Sequence, residues 1–238
     1  MAKKTKVCPE LQDHEHYKTL EKKLAAMRSG YRVADNFEIL MEIAAISLSN
    51  LVRTDKFDER EKRYYKLIET VDYDAATAAF SEIMAWFHEQ AEPRDLLGPL
   101  HSYLGLDNSG SGQFFTPRHI CDFMNQCLMP SKENVEATIA DKGYISIQDP
   151  TVGAGGMLVA AAKVLNSYEI DYTRNALFCG TELMQTTAHT CFVQCALYNM
   201  PAIITHGDSL QMKDYDQFIT VQGWELMNRI QQSENKAV

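Results

Sequence analysis

The sequence predicts a mixed α/β chain, helical over residues 1–106 and built around a short open sheet over 107–238. Three observations carry this. Apolar residues recur at three- and four-residue spacing through the first hundred positions, with no β-rich run between them. A β-branched segment at 144–148 runs into Asp149-Pro150 and then Gly153, Gly155 and Gly156, and an alanine-rich helical segment follows. Two further short apolar runs each close on an acidic residue.

In chain order, the periodicity predicts helices at 17–28, 34–51, 59–71 and 75–90. Phe80, Ile83, Met84 and Phe87 form one apolar stripe, read as core. The stretch Asp107-Asn108-Ser109-Gly110-Ser111-Gly112 has loop composition and separates the two parts. One further helix is expected before the strand at 144–149. Strand, glycine turn and the helix at 157–165 then make the opening unit of a nucleotide-binding α/β fold. There the missing Cβ atoms let backbone approach a ligand, and the helix N-terminus offers free N–H groups. A tight βα connection without a ligand satisfies the same residues. The second strand, 175–181, closes on Gly180-Thr181-Glu182, and the third, 202–207, on Gly207-Asp208-Ser209. An acid at the end of the second strand commonly holds ribose hydroxyls in doubly wound sheets; singly, such acids also serve as helix caps. A fourth strand is expected at 217–221 and a short amphipathic helix at 225–232.

The order of these segments resembles a known family. Gly112-Gln113-Phe114-Phe115-Thr116-Pro117-Arg118, the stretch Asp149-Pro150-Thr151-Val152-Gly153-Ala154-Gly155-Gly156, then Gly180-Thr181-Glu182, Ala196-Leu197-Tyr198-Asn199-Met200 and Gly207-Asp208-Ser209-Leu210 are similar to the methylation subunits of type I restriction-modification systems, N6-adenine DNA methyltransferases. Asp95-Leu96-Leu97-Gly98, with Tyr103 and Leu104, resembles the stretch that precedes the first of these motifs, so the match runs from about residue 60 to about residue 222. The resemblance implies a Rossmann-like S-adenosylmethionine-dependent methyltransferase core with a truncated sheet, preceded by an α-helical N-terminal domain that helps embrace DNA. It implies that Phe115, Thr116 and Pro117 line the methionine end of the cofactor. Asp149, Gly153 and Gly155 would cradle its amino-acid portion, Glu182 would hold the ribose hydroxyls, and Asp208 would accept from the adenine amino group.

One motif departs. Where the family carries Asn-Pro-Pro-aromatic after its fourth strand, this chain has Val221-Gln222-Gly223-Trp224. An exocyclic adenine amine is a poor nucleophile, because its lone pair is delocalised into the ring; acceptors must hold it tetrahedral against the methyl sulfonium. Valine supplies none. Gln222 is the candidate replacement acceptor and Trp224 the candidate for stacking on an extruded base. Gly223, however, removes the stiffness of the prolines, so the motif favours a degenerate site over a substituted one.

The sheet also looks short. Four candidate strands leave an exposed edge, which proteins seldom leave uncovered. The expectation is that a helix, a second copy of the chain or a restriction-modification subunit covers 217–221, and that the strand at 144–149 lies beside the last one.

With a net charge of −9 and a pI near 5.3, the overall field does not attract a phosphate backbone, so any DNA binding is expected to need help from another chain. The six cysteines match no metal or disulfide code, and no metal is expected. Cys191 and Cys195 read as buried thiols, and His14-Glu15-His16 as an exposed polar segment. No signal peptide or spanning segment is read, which points to a cytoplasmic protein. Two function classes follow: a S-adenosylmethionine-binding DNA adenine-N6 methyltransferase or one component of it, and a methyltransferase-derived regulatory or anti-restriction binding protein without catalysis. A nucleotide-binding domain unrelated to methylation would leave the 113–118 segment unexplained.

Overall fold

The computed structural model describes residues 15–52, 54–106 and 116–236, with side chains to residue 233. Five helices come first: α1 (Glu15–Met27), α2 (Val33–Ser49), α3 (Phe57–Ile68), α4 (Tyr73–His88) and the short α5 (Leu97–Tyr103). The expected apolar periodicity is what they bury. Leu20 and Leu24 of α1, Phe37 and Met41 of α2, and Ile83 of α4 are fully enclosed. Of the predicted stripe, Ile83 and Phe87 are buried, whereas Met84 is half exposed at 50%. The N-terminal acid-flanked histidine is not an exposed tail residue: His16 meets Glu82 at 2.5 Å and Glu89 at 2.9 Å, fastening α1 to α4.

Between the helical part and the sheet stand α6 (Arg118–Leu128) and α7 (Lys132–Lys142), two helices where one was expected. Pro130 breaks the run, and the Ser131 side chain accepts from Asn134 N–H to start the second. The sheet has the order β1 (Ile145–Asp149), β2 (Ala176–Glu182), β3 (Ala202–Asp208), β4 (Lys213–Ile219). The first three strands are parallel. Their crossovers are α8 (Gly156–Ser167) with the single turn α9 (Tyr172–Asn175), and α10 (Gln185–Leu197). One face, carrying Ala176, Phe178, Ala202 and Ile204, is fully buried in a core that runs without a break into α1, α2 and α4.

The last strand differs from expectation. β4 is antiparallel to β3, with Asp208 opposite Lys213 and Ile203 opposite Ile219. It therefore lies at the far edge of the sheet from β1, not beside it, because a four-residue turn permits only a hairpin. Among the described residues β1 pairs with β2 alone. The strand also begins earlier and stops sooner than the sequence indicates, and residues from Val221 onward belong to helix α11 (Val221–Lys236).

The end of β4 is tied to the helical part of the chain, while Lys213 to Tyr215 stay exposed. Arg60 of α3, only 4% exposed, donates to Asp216 Oδ1 at 2.7 Å, to the Gln217 carbonyl at 2.6 Å and to Ser49 Oγ at 2.8 Å. Its guanidinium also lies 4.4 Å over the ring of Phe218. His189 of α10 also meets the Phe218 ring, edge-on at 5.1 Å. No helix among the described residues is long and apolar enough to cross a membrane.

Two measurements probe this edge. Arg60→Met leaves the buried Ser49 hydroxyl and the half-buried Asp216 carboxylate without their donor and is expected to cost about 2 kcal/mol in urea unfolding, against under about 1 kcal/mol for the exposed ion-pairing Arg63. Burial holds the His189 imidazole down at about 4, so the folded state resists a proton that the unfolded chain takes up below about 6.5. Stability is expected to fall between pH 6.5 and pH 4, by up to roughly 3 kcal/mol. His189→Leu should flatten the profile in that window.

Candidate cofactor cleft

The site forms at the carboxyl ends of β1, β2 and β3. Gly153 (φ +57) and Gly155 (φ +98) carry the turn between β1 and α8 through left-handed backbone that other residues rarely adopt. The turn is tied to β2 by the Val152 N–H on the Thr181 carbonyl at 3.0 Å. Gly180 is glycine for contact: a Cβ there would stand 2.8 Å from the Val152 side chain.

Each strand-end acid holds backbone N–H groups. Asp149 Oδ1 accepts from Thr151 at 2.9 Å. Glu182 accepts from Gly153 at 3.0 Å through Oε2 and from Met184 at 2.9 Å through Oε1. Asp208 Oδ1 accepts from Leu210 at 3.0 Å and Gln211 at 2.9 Å. These bonds fix the carboxylates and leave each with unused lone pairs.

Around them opens a cleft of about 1390 Å³, bounded by Thr116, Cys121, Met124 and Asn125 on the α6 side and by Asp149, Gly153, Glu182 and Asp208 on the sheet side. It continues along the open edge of β1 past Ile145 and Ile147 to Lys142. That edge explains a volume above the roughly 300–1,000 Å³ of an ordinary small-molecule pocket. Its charge is one-sided. Asp95, Asp149, Glu182 and Asp208 line it, against Lys142 alone among the described residues. Burial, reinforced by Asp95, Asp122 and Asp149, pushes the Cys121 thiol up to about 11, which leaves it neutral.

The structure thus brings Thr116, Asp149, Gly153, Glu182 and Asp208 together. Pro117 initiates α6 behind Thr116, and Gly155 caps α8 with its back to Cys191 Sγ; neither lines the cleft. Phe115, with Gln113 and Phe114, lies outside the described residues. Gln222 and Trp224 are not at this site. Since β4 runs antiparallel, its end delivers them to the opposite edge of the sheet, where Gln222 Nε2 donates to Asn199 Oδ1 at 3.1 Å. Gly223 presses on the start of β3, where a Cβ would come within 2.8 Å of the Ala202 carbonyl. The first turn of α11 is thus an anchor, held by Thr220 Oγ1, which accepts from Ala202 and Gly223 N–H and donates to the Met200 carbonyl.

Sequence reasoning missed two residues. Gln194, wholly buried, accepts from Leu96 and Leu97 N–H at 3.0 Å each and donates to Asp95 Oδ1 and the Ala154 carbonyl, also at 3.0 Å. Asp95 reaches the cleft from the loop before α5. The proximity of Asp95-Leu96-Leu97-Gly98 to the glycine turn, ninety-nine residues from Gln194, has no local signature.

The family model described as N-6 DNA Methylase matches residues 95–225, more than half of the chain. The chain belongs to that family. Among curated relatives, the family member is similar to the methylase subunit of the type I restriction enzyme StySJI of Salmonella typhimurium, strain LT2, at 22% identity over 174 residues, 62% of this chain and 31% of that one. It is also similar to the EcoKI methylase subunit of Escherichia coli K12, at 24% identity over 143 residues, 53% of this chain and 25% of that one. It therefore spans a third or less of the length of these relatives. A cryo-EM DrdV–DNA complex aligns with 94% of this chain and 25% of its own at 16% identity and a TM-score of 0.34, too distant to inform the fold.

The tightness of the turn is testable. Gly180→Ala should destabilise the protein by about 1–3 kcal/mol through overpacking on Val152. Adding Val152→Ala should recover part of that loss, a coupling that chemical denaturation of the double variant would reveal.

Proposed function

We propose that this N-6 DNA methylase family member binds S-adenosylmethionine in the acidic cleft and serves as the cofactor-binding component of a DNA adenine-N6 methylation assembly. In this reading the glycine turn, Asp149, Glu182 and Asp208 belong to a truncated Rossmann-like methyltransferase core, with residues 1–106 as a helical domain before it. The observation that carries the reading is the charge of the cleft. Four carboxylates facing one lysine repel a polyphosphate and suit a nucleoside bearing a sulfonium and an ammonium. Glu182 has lone pairs left for ribose hydroxyls after holding Gly153 and Met184, and Asp208 keeps Oδ2 for an adenine amino group. Thr116, and Pro117 behind it, fall to the methionine end, where Phe115 is expected to join them. The cofactor would supply the electrophilic methyl group; the protein's part is to seat it and exclude competing ligands.

The base-holding acceptors are a separate matter. Gln222 and Trp224 stand across the sheet from the cleft, so transfer to adenine requires acceptors from beyond the described residues, such as those of a further restriction-modification subunit that also brings DNA. The placement of these two residues equally supports the second reading, a methyltransferase-derived regulatory or anti-restriction protein that binds the cofactor without transferring its methyl group. Either would work in the cytoplasm.

Calorimetry with S-adenosylmethionine tests the shared element. Asp149→Ala and Glu182→Ala are each expected to weaken binding by about tenfold or more; unchanged affinity in both would remove the cleft from consideration. Labelled methyl transfer to unmethylated DNA then separates the readings. The chain alone should transfer none, and incorporation only with a partner subunit present favours the assembly component.

A further inference from the structure

We propose that Asp95 is the acceptor for the α-ammonium group of the cofactor's amino-acid tail, an assignment that rests on the cofactor reading above. Asp95 comes from the helical part of the chain and lines the cleft. Its Oδ1 is fully engaged, accepting from Gly98 N–H at 2.9 Å and from the Gln194 amide at 3.0 Å. That oxygen does the ordinary work of starting α5. Among the described residues Oδ2 meets no hydrogen-bond donor.

Two glycines make room for Oδ2. A Cβ on Gly98 would stand 2.6 Å from it, and a Cβ on Gly156 would stand 2.9 Å from it. Capping alone explains the first contact, since Gly98 belongs to the same turn. It does not explain the second, because Gly156 opens α8, fifty-eight positions further along the chain. The carboxylate is thus seated at the N-terminal residue of a twelve-residue helix that has no side-chain cap. Burial raises its carboxyl above the usual range, a condition that a bound cation relieves.

Among the described residues no cation pairs with Oδ2, although the Arg118 charge reaches Asp95 and offsets part of the rise in its carboxyl. The Arg118 guanidinium lies beside Asp122 at 3.8 Å, Lys163 pairs with Glu92 at 3.2 Å, and Lys142 stands at the other end of β1. Gly156, Met157 and Leu158 of the uncapped first turn line the same cleft. An α-amino acid has the matching polarity: its carboxylate suits the free N–H groups of that turn, and its ammonium suits Asp95 Oδ2 one residue away. A nucleoside without the amino-acid tail would satisfy neither.

The test uses the full chain at pH 8 and calorimetry with two ligands, S-adenosylhomocysteine and its analogue lacking only the α-amino group. The wild-type protein is expected to prefer the amino form by about tenfold or more, the scale of one charge-assisted hydrogen bond. Asp95→Asn keeps the shape and should bring that preference within about twofold. Glu182→Gln should weaken both ligands alike and preserve the preference. Equal wild-type affinities overturn the assignment whether or not the variant folds, and so does a preference that survives Asp95→Asn. Wild-type protein that binds neither ligand removes the cofactor reading itself, and this assignment with it.

Discussion

The side-chain amide of Gln194 joins the entrance of α5 to the glycine turn of the cleft. Two N–H groups of the α5 entrance, one carboxylate oxygen of Asp95 and the carbonyl of Ala154 in the glycine turn all meet it. A wholly buried amide with both donors and both acceptor positions used is strongly directional, and each partner would otherwise be a buried group without a bond. One side chain thus ties the helical part to the turn by four hydrogen bonds. Asp95, whose Oδ2 lies against Gly156, is held by the same group. Tyr198, one helical turn further on, repeats the link by accepting from Arg94 N–H and donating to its carbonyl.

Electrostatics follows from that geometry. Parallel strands bring their carboxyl ends to one edge, and here three of those ends carry acids. Such a concentration of like charge in a partly enclosed cleft is costly unless backbone donors offset it. Asp149 and Asp208 take N–H groups from their own turns, and Glu182 takes one from its own turn and one from Gly153 in the turn after β1. Asp95, added from the helical part, has less compensation on its second oxygen. The residual negative potential selects for cationic ligands, and the open edge of β1 lets the cleft extend beyond a single nucleoside.

Much of this was legible in the sequence, for identifiable reasons. Buried parallel strands are continuous apolar runs, so the segments around Phe178 and Ile204 stand out, the alternation of Ile145 and Ile147 marks the edge strand β1, and the glycines of the turn meet the positive φ at 153 and 155. The hairpin strand was harder to see. Lys213 to Gln217 is polar and mostly exposed, with only Phe218 and Ile219 buried, so the apolar end alone registered as a strand and the strand was placed too late. The start of α11 does have a signal, Thr220 three residues before Gly223, whose N–H bonds to the Thr220 side chain at 3.1 Å. The family register drew attention to 221–224 as a catalytic motif instead. Asp95 and Gln194 had no such signal, because a polar pair meets across the chain without any local periodicity.

The direction of β4 bears most on chemistry. The acids line the edge where β1, β2 and β3 end, whereas an antiparallel strand starts at that edge and ends at the other. Residues 221–224, immediately after β4, therefore cannot reach the cleft, whatever their identity: the obstacle there is topological before it is chemical. Restoring asparagine and prolines there would place acceptors beside Asn199 and Ala202, on the wrong side of the sheet, and a bulkier residue at Gly223 would strike the Ala202 backbone. Acceptors able to face the cleft must enter along β1, the edge that pairs with no strand among the described residues. The cleft is already open along that strand, from Asp149 back to Lys142. An added strand running parallel to β1 would end next to Asp149, the position in this sheet from which a held amine could face the cleft.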